Sequence, residues 1–599
     1  MGYRFIALIN EQGPPGSEAE LHELGLYNAH ASPSFRLFTS KNTPLISLPN
    51  GMIVIGDLLL RDGTPFRHDL AFPALKKNEQ ILEHILQHYW GEYLLIQPPT
   101  PQDRAMTLMR DPSGGMPCVF MLDDEAGFVT SDISLASHLG IYDKRVDWDS
   151  VAYFLAYPHL KALRTGLKRV YELLPGCSLI WKNGKLAIRP EWSPWDFVSS
   201  GRRHRDLQLA ASDVRHAVET AVKAWAGMEQ SIMLELSGGL DSSIVGSCLR
   251  GSRASVHCCT LLTPVPGADE REYAALVADK LGVSLRADSL QFEDAQIDFP
   301  PPPDSIAPRC WTLQYATNKV KQSVGRALGV TSYFNGGGGD AVFCYLSTAA
   351  PAADAFLELG PRAASCAIID LARLHHCTIW KATRLTARKL LASPGTPYKP
   401  DLSFISLDAH DPGPPDHPWL IPPKNALPGD RERISDLAGT QAFRDDVARG
   451  REGHLRMPLL SQPVVEACLK APSWMWISGG KNRAVARSAF ADILPATVLN
   501  RRSKGTFMNY VGAVFRRNEV QIRDFLMSGE LQAHGLLETA SLQRFFSHDT
   551  SPREDSYTRI FELCQIENWV RHQSTSTPDS PPSLDRTGAD TFISRQCRY

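Results

Sequence analysis

Apolar residues in the first third of the chain fall into short runs, at residues 3–9, 52–55, 93–96, 106–109, 119–122 and 178–181. Turn chemistry separates them: Asn50-Gly51, Asp62-Gly63, Pro112-Ser113-Gly114-Gly115 and Asn183-Gly184. Short runs closed by such turns predict a strand-rich domain over residues 1–198, with Pro175-Gly176 ahead of a last hairpin. Polar residues 199–206 read as a linker.

From Leu207 the period changes. Leu209, Val214, Val218 and Val222 recur at helical spacing and predict a helix over 207–225. Strands at 232–236, 256–262 and 330–334 then alternate with helices from Asp241 and over 269–281, with Gly251 and Gly282 placed as helix terminators. Strands alternating with helices predict a parallel, helix-covered sheet in a domain spanning 207–572. Residues 394–428 are crowded with proline and read as a loop excursion, a lid or a surface insertion. Residues 573–599, rich in Ser, Thr and Pro, predict a disordered tail. No internal repeat is visible.

Composition narrows the function classes. The chain has 599 residues, 43% hydrophobic and 21% charged, with a net charge of −2. That balance argues against a nucleic-acid partner or an anionic-membrane surface. No apolar run reaches the about 18 residues of a membrane span. The first residues carry neither a signal-peptide cleavage site nor a myristoylation motif, so a cytoplasmic location is expected. Twelve cysteines form no CxxC pair and read as reduced thiols.

Two glycine-rich runs carry the chemistry. Ser237-Gly238-Gly239-Leu240-Asp241-Ser242-Ser243 lies between an apolar strand and a helix. Small residues let backbone N–H groups approach an anion, the helix start adds its positive end, and Ser237, Ser242 and Ser243 add hydroxyls. A carboxylate beside phosphates needs a cation between them, which points to Asp241 and Mg²⁺. The second run, Asn335-Gly336-Gly337-Gly338-Gly339-Asp340, also follows a strand and ends in a carboxylate, a second candidate metal ligand.

The first run resembles the SGGxDS pyrophosphate loop of the N-type ATP pyrophosphatases. The order of both runs resembles the synthetase domain of asparagine synthetase. The likeness continues through Pro458-Leu459-Leu460, Leu494-Pro495 and Arg501-Arg502-Ser503-Lys504-Gly505. It also covers the first domain, through residues 110–117 (RDPSGGMP), Ser131-Asp132-Ile133 and Leu174-Pro175-Gly176. It implies an N-terminal-nucleophile-like α+β sandwich followed by an α/β PP-loop domain. It further implies ATP and Mg²⁺, with Ser237, Gly238, Gly239, Leu240, Asp241, Ser242, Leu262, Gly336 and Gly337 binding ATP or pyrophosphate. Asp241 and Asp340 hold the metal on this resemblance, Lys504 is the catalytic lysine, and Arg501 and Arg502 assist it. Lys481 and Arg487 resemble positions near the nucleotide; His375-His376 is a weaker candidate, and Trp474 and Trp476 read as packing residues.

One position departs from the family. Its glutaminase needs a cysteine after Met1, whereas position 2 is Gly and the nearest cysteine is Cys118. The first domain is therefore expected to be silent, with the amine coming from elsewhere than glutamine. β-Lactam synthetase and the lasso peptide cyclase both fit such a ligase. The β-lactam enzyme's Tyr–Glu dyad finds no match, while the four-glycine run, Pro458–Pro463 and residues 501–505 favour the macrolactam-forming cyclase. That implies a precursor peptide as substrate, with a leader-cleaving protease and a leader-binding protein beside it. The rivals are an ammonia-fed asparagine synthetase, a β-lactam or carbapenam-type synthetase, and a docking protein without activity.

Overall fold

The computed structural model describes residues 2–9, 17–67, 72–73, 75, 77–100, 103–392, 398–406, 412–445, 447–501, 505, 507–547 and 554–574. The first domain is built on two six-stranded sheets. The first runs Tyr171–Glu172, Val119–Leu122, Gly127–Thr130, Phe5–Ile9, Phe35–Ser40, Leu26–Ser32. The second runs Lys185–Pro190, Cys177–Lys182, Met106–Arg110, Tyr89–Gln97, Ile53–Leu60, Leu45–Ser47. Neighbouring strands pair antiparallel throughout.

Side-chain alternation explains the layering. Phe5, Ala7 and Ile9 join Ile55, Leu94, Ile96 and Leu108 of the other sheet in one core. Ile6 and Leu8 point the other way, into a core shared with the second domain. All five residues of Phe5–Ile9 are buried, so the run reads as continuously apolar rather than alternating.

The second domain carries a five-stranded parallel sheet in the order Leu285–Ser289, Ser255–Leu262, Ser231–Glu235, Ser332–Phe334, His454–Arg456. From the central strand the chain first moves outward to one side, then returns to build the other. This makes a switch point between Ser231–Glu235 and Ser332–Phe334, and ligands of open α/β sheets bind outside the carboxyl ends of strands at such a point. Both glycine runs leave from those two ends.

Several expectations need correction. Residues 199–206 are no free linker. Arg203 pairs with Glu358 and Asp430 at 2.6 Å each, and the His204 amide donates to the Lys470 carbonyl. Arg203 and His204 tie the stretch to the second domain, while its other residues are exposed. The proline-rich stretch contains a packed turn, Pro418–Leu420, with Trp419 and Leu420 buried, while residues 393–397 and 407–411 lie outside the described ones. The last helix, Glu554–Ser574, runs two residues into the expected tail, and residues 575–599 lie outside the described ones. Gln573 is buried, which keeps the helix going past the composition change.

The two domains share buried charge. Arg456 pairs with Asp57 at 2.8 Å, Glu92 at 2.6 Å and Glu229 at 3.4 Å, and Arg444 also pairs with Glu92. Burial pushes the Glu92 carboxyl up, but the two guanidiniums outweigh it and leave it below the usual range. Among the described residues no helix is long and apolar enough to cross a membrane.

Candidate active site

Strand Ser231–Glu235 continues through Leu236, Ser237 and Gly238 into helix Leu240–Cys248, whose N-cap is Gly239. No side chain caps that helix, so its first amides remain available to a ligand. Gly238 takes φ +68°, and a Cβ there would lie 2.8 Å from Tyr273 Cβ and 3.0 Å from the Glu270 carbonyl oxygen. Only glycine fits both the angle and the space. The Ser242 hydroxyl lies 3.1 Å from that of Ser237 and accepts the Ser237 amide at 3.2 Å, which closes the bend.

The second bend follows Ser332–Phe334. Asn335 accepts the Gly337 amide through its side chain at 2.8 Å. A Cβ on Gly336 would lie 2.5 Å from the Ser242 amide nitrogen, and one on Gly339 would lie 2.5 Å from Asp241 Cγ. The two bends therefore touch, backbone against backbone.

Arg483 fixes the relation of the two acids. It donates to Asp241 at 2.9 and 3.1 Å and pairs with Asp340 through its other terminal nitrogen. Its guanidinium also lies 5.0 Å from the centre of the Tyr345 ring. One guanidinium spans both carboxylates, so they stand close enough to share a single cation.

These elements line a cleft of about 830 Å³. Ser237, Gly239, Asp241, Ser242, Gly336, Gly337 and Asp340 lie on its wall. Three expected residues do not. Gly238 turns back onto Tyr273, Leu240 packs into the core, and Leu262 gives its place to Thr260 and Leu261. Ser243 is fully buried and adds no hydroxyl to the cleft. Lys504 lies outside the described residues, between Arg501 and Gly505, which are described. Arg501 donates to the Gly238 carbonyl at 3.3 Å and lies 3.9 Å over the Tyr273 ring.

Lys481 donates to the Asn500 side chain at 2.9 Å, and Arg487 donates to backbone oxygens of Asn482, Leu499 and Arg501, so Arg487 holds main chain in place. His375 and His376 follow helix Pro361–Leu374 and are absent from the cleft wall. Trp476 is fully buried.

Sequence reasoning missed Arg483, Glu270, Lys321 and Asp436. Lys321 pairs with Glu235 at 2.7 Å on the cleft floor; burial pulls its ammonium down more than that partner restores. Asp436 sits on the wall, where shielding from bulk water and the nearby Glu432 push its carboxyl up to about 6. The first domain holds no exposed thiol among its described residues. Cys118 is buried, and burial pushes its thiol up to about 12.

A parallel sheet with two glycine bends at its switch point, each leading to a carboxylate, makes an α/β cleft with the features of a phosphate site. The asparagine synthase family model matches residues 213–571, more than half of the chain. The chain belongs to that family and is an ATP-dependent, asparagine synthetase-like ligase. No curated protein matches it. Among solved structures, one described as the allosteric regulatory enzyme of purine biosynthesis shares 10% identity. It covers 56% of this chain and 84% of its own, with a TM-score of 0.21. The glutamine phosphoribosylpyrophosphate amidotransferase from B. subtilis, complexed with ADP and GMP, shares 9% identity. It covers 57% of this chain and 77% of its own, with a TM-score of 0.22.

Proposed function

We propose that this ligase adenylates a side-chain carboxylate of a peptide and closes a macrolactam ring with the peptide's N-terminal amine. The observation that carries the reading is a ligase cleft with both glycine bends in contact, beside a first domain whose described thiols are all buried. Position 2, where the family's nucleophile belongs, is Gly, and Cys118 is held as a neutral thiol. An amide synthetase with no thiolate to release ammonia from glutamine needs another amine, and on this reading the peptide's own N-terminus supplies it.

On this reading the second domain is of the PP-loop type. The substrate carboxylate attacks the α-phosphorus of ATP and pyrophosphate leaves. The amine then attacks the acyl-adenylate and AMP leaves. The uncapped start of helix Leu240–Cys248 and the hydroxyls of Ser237 and Ser242 receive the departing pyrophosphate. Lys504 is assigned, by its family match, to the oxyanion of the second step.

Two carboxylates facing one cation suit Mg²⁺ shared with phosphate oxygens. Among the described residues no cluster of three or more metal-binding side chains exists, so an all-protein cage is not the fit. Mg²⁺ held by Asp241 and Asp340 would neutralise charge on the triphosphate. A precursor peptide is the proposed substrate, with a leader-cleaving protease and a leader-binding protein as partners.

The test is incubation with Mg–ATP and candidate precursor peptides, read by mass spectrometry. Loss of one water from a peptide, with AMP formed, is expected. Asparagine formed from aspartate and ammonium, with no change in any peptide, would overturn the ring-closing reading in favour of an ammonia-fed synthetase.

A further inference from the structure

We propose that the outer face of helix Ile379–Leu391 is a docking surface for an anionic lipid membrane, which the protein meets without spanning. Only Ala382 and Thr386 of its thirteen residues are buried, one turn apart, and the helix packs on Ala350–Leu359 and Pro361–Leu374. On the side away from that seam Trp380 is 84% exposed and Leu391 86%. They stand eleven positions apart, about three turns, so both fall on one face, and Arg384 lies between them. Lys381 and Arg388, also exposed, flank that line. Phe356, Leu357 and Leu359, at the end of the neighbouring helix Ala350–Leu359, are exposed as well.

Large apolar side chains this open, aligned on one helix, mark an interaction surface. Charge says what covers it. Residues 371–391 contain no Asp or Glu. The acids just before them are engaged within the protein: Asp370 accepts the Gly480 amide at 3.0 Å, and Glu358 pairs with Arg203. Lys389 pairs with Glu432, which leaves Lys381, Arg384 and Arg388 facing outward with no carboxylate partner among the described residues. Cations flanking a tryptophan and a leucine suit a lipid interface, where the ring sits at headgroup level and the cations reach phosphate. A second copy of the chain would set these cations against one another. A protein partner would need a groove three turns long with a carboxylate opposite Arg384, whereas an anionic bilayer needs no such fit. The net charge of −2 averages over the whole chain and conceals this local excess. None of residues 350–391 lines the cleft, so docking here is separate from the chemistry proposed above.

Co-sedimentation of the full chain with vesicles tests it. Phosphatidylcholine vesicles carrying about one-third phosphatidylglycerol should bind at least about tenfold more tightly than pure phosphatidylcholine, and added salt should weaken that binding. Lys381→Gln, Arg384→Gln and Arg388→Gln together should weaken it about fivefold for each charge removed. Trp380→Ser with Leu391→Ser should weaken it about tenfold or more. Leu209→Ser, which changes an apolar side chain 65% exposed on helix Leu207–Gly227, should bind as the wild type does. Every replaced side chain is exposed, so the melting temperature of each variant should stay near that of the wild type. No preference for the anionic vesicles, or wild-type binding by either multiple variant, would overturn the membrane assignment. So would a lipid-free dimer that Trp380→Ser with Leu391→Ser dissociates, because a second copy would then cover this face.

Discussion

Gly336→Ala probes the contact between the two bends. The added Cβ would lie 2.5 Å from the Ser242 amide nitrogen, 2.8 Å from the Asp241 carbonyl carbon and 3.0 Å from Ser242 Cα. Ordinary contact begins at 3.4 Å, so the closest approach falls about 0.9 Å short. Every obstacle is main chain, and none can rotate away. The bends must separate by nearly that distance, and overpacking of this kind costs about 1–3 kcal/mol of stability. Displacing one half of a phosphate site by about 1 Å should weaken productive nucleotide engagement on the order of 100-fold. Calorimetric titration with Mg–ATP, beside a thermal melt, measures both. Gly227→Ala, with nothing within 4 Å of the new Cβ, is the control and should be silent. Wild-type nucleotide affinity in a folded Gly336→Ala chain would refute the claim that the bends form one site.

Other perturbations test separate parts of the account. Arg483→Ala leaves Asp241 and Asp340 facing each other and should destabilise the chain by about 3 kcal/mol. Mg²⁺ should recover part of the lost melting temperature, and no response to Mg²⁺ would count against the acids as metal ligands. Arg456→Met removes the cation shared by Asp57, Glu92 and Glu229, leaving them Tyr3, Arg444 and His454 respectively, and should cost about 3 kcal/mol in denaturant unfolding. A wild-type midpoint would mean that the domains do not depend on that charge. His417 is buried and neutral, with Nε2 facing the Gln441 side-chain oxygen at 2.9 Å and Nδ1 accepting the Trp419 amide at 3.1 Å. Burial pushes its imidazole down to about 4. Between pH 6.5 and about 4 the unfolded chain binds a proton that the folded chain refuses. Stability should therefore fall by about 3 kcal/mol as pH drops through that window, and His417→Gln should flatten the slope in pH-dependent melts.

The strand–bend–helix units were legible because their signals are local. Glycines beside an apolar run mark a bend wherever the strand ends, and both runs lie where the reading put them. What failed depends on three-dimensional partners. Arg483 meets Asp241 across 242 positions of chain, and no periodicity announces such a pair. Leu262 is not on the cleft wall, where Cys259, Thr260 and Leu261 at the end of the same strand stand instead. His454–Arg456 is three residues long, too short to show alternation, yet it completes the sheet and carries Arg456 into the first domain. The polar 199–206 stretch resembled a linker because an ion pair to a distant helix and a solvated loop use the same residues.

The most direct test is a crystal structure of the chain with Mg²⁺ and a non-hydrolysable ATP analogue. The account predicts the triphosphate between residues 237–242 and 335–340, with Asp241 and Asp340 turned to one metal ion and Arg483 displaced from between them. A triphosphate seated elsewhere, or the Arg483 bridge intact beside bound nucleotide, would contradict it.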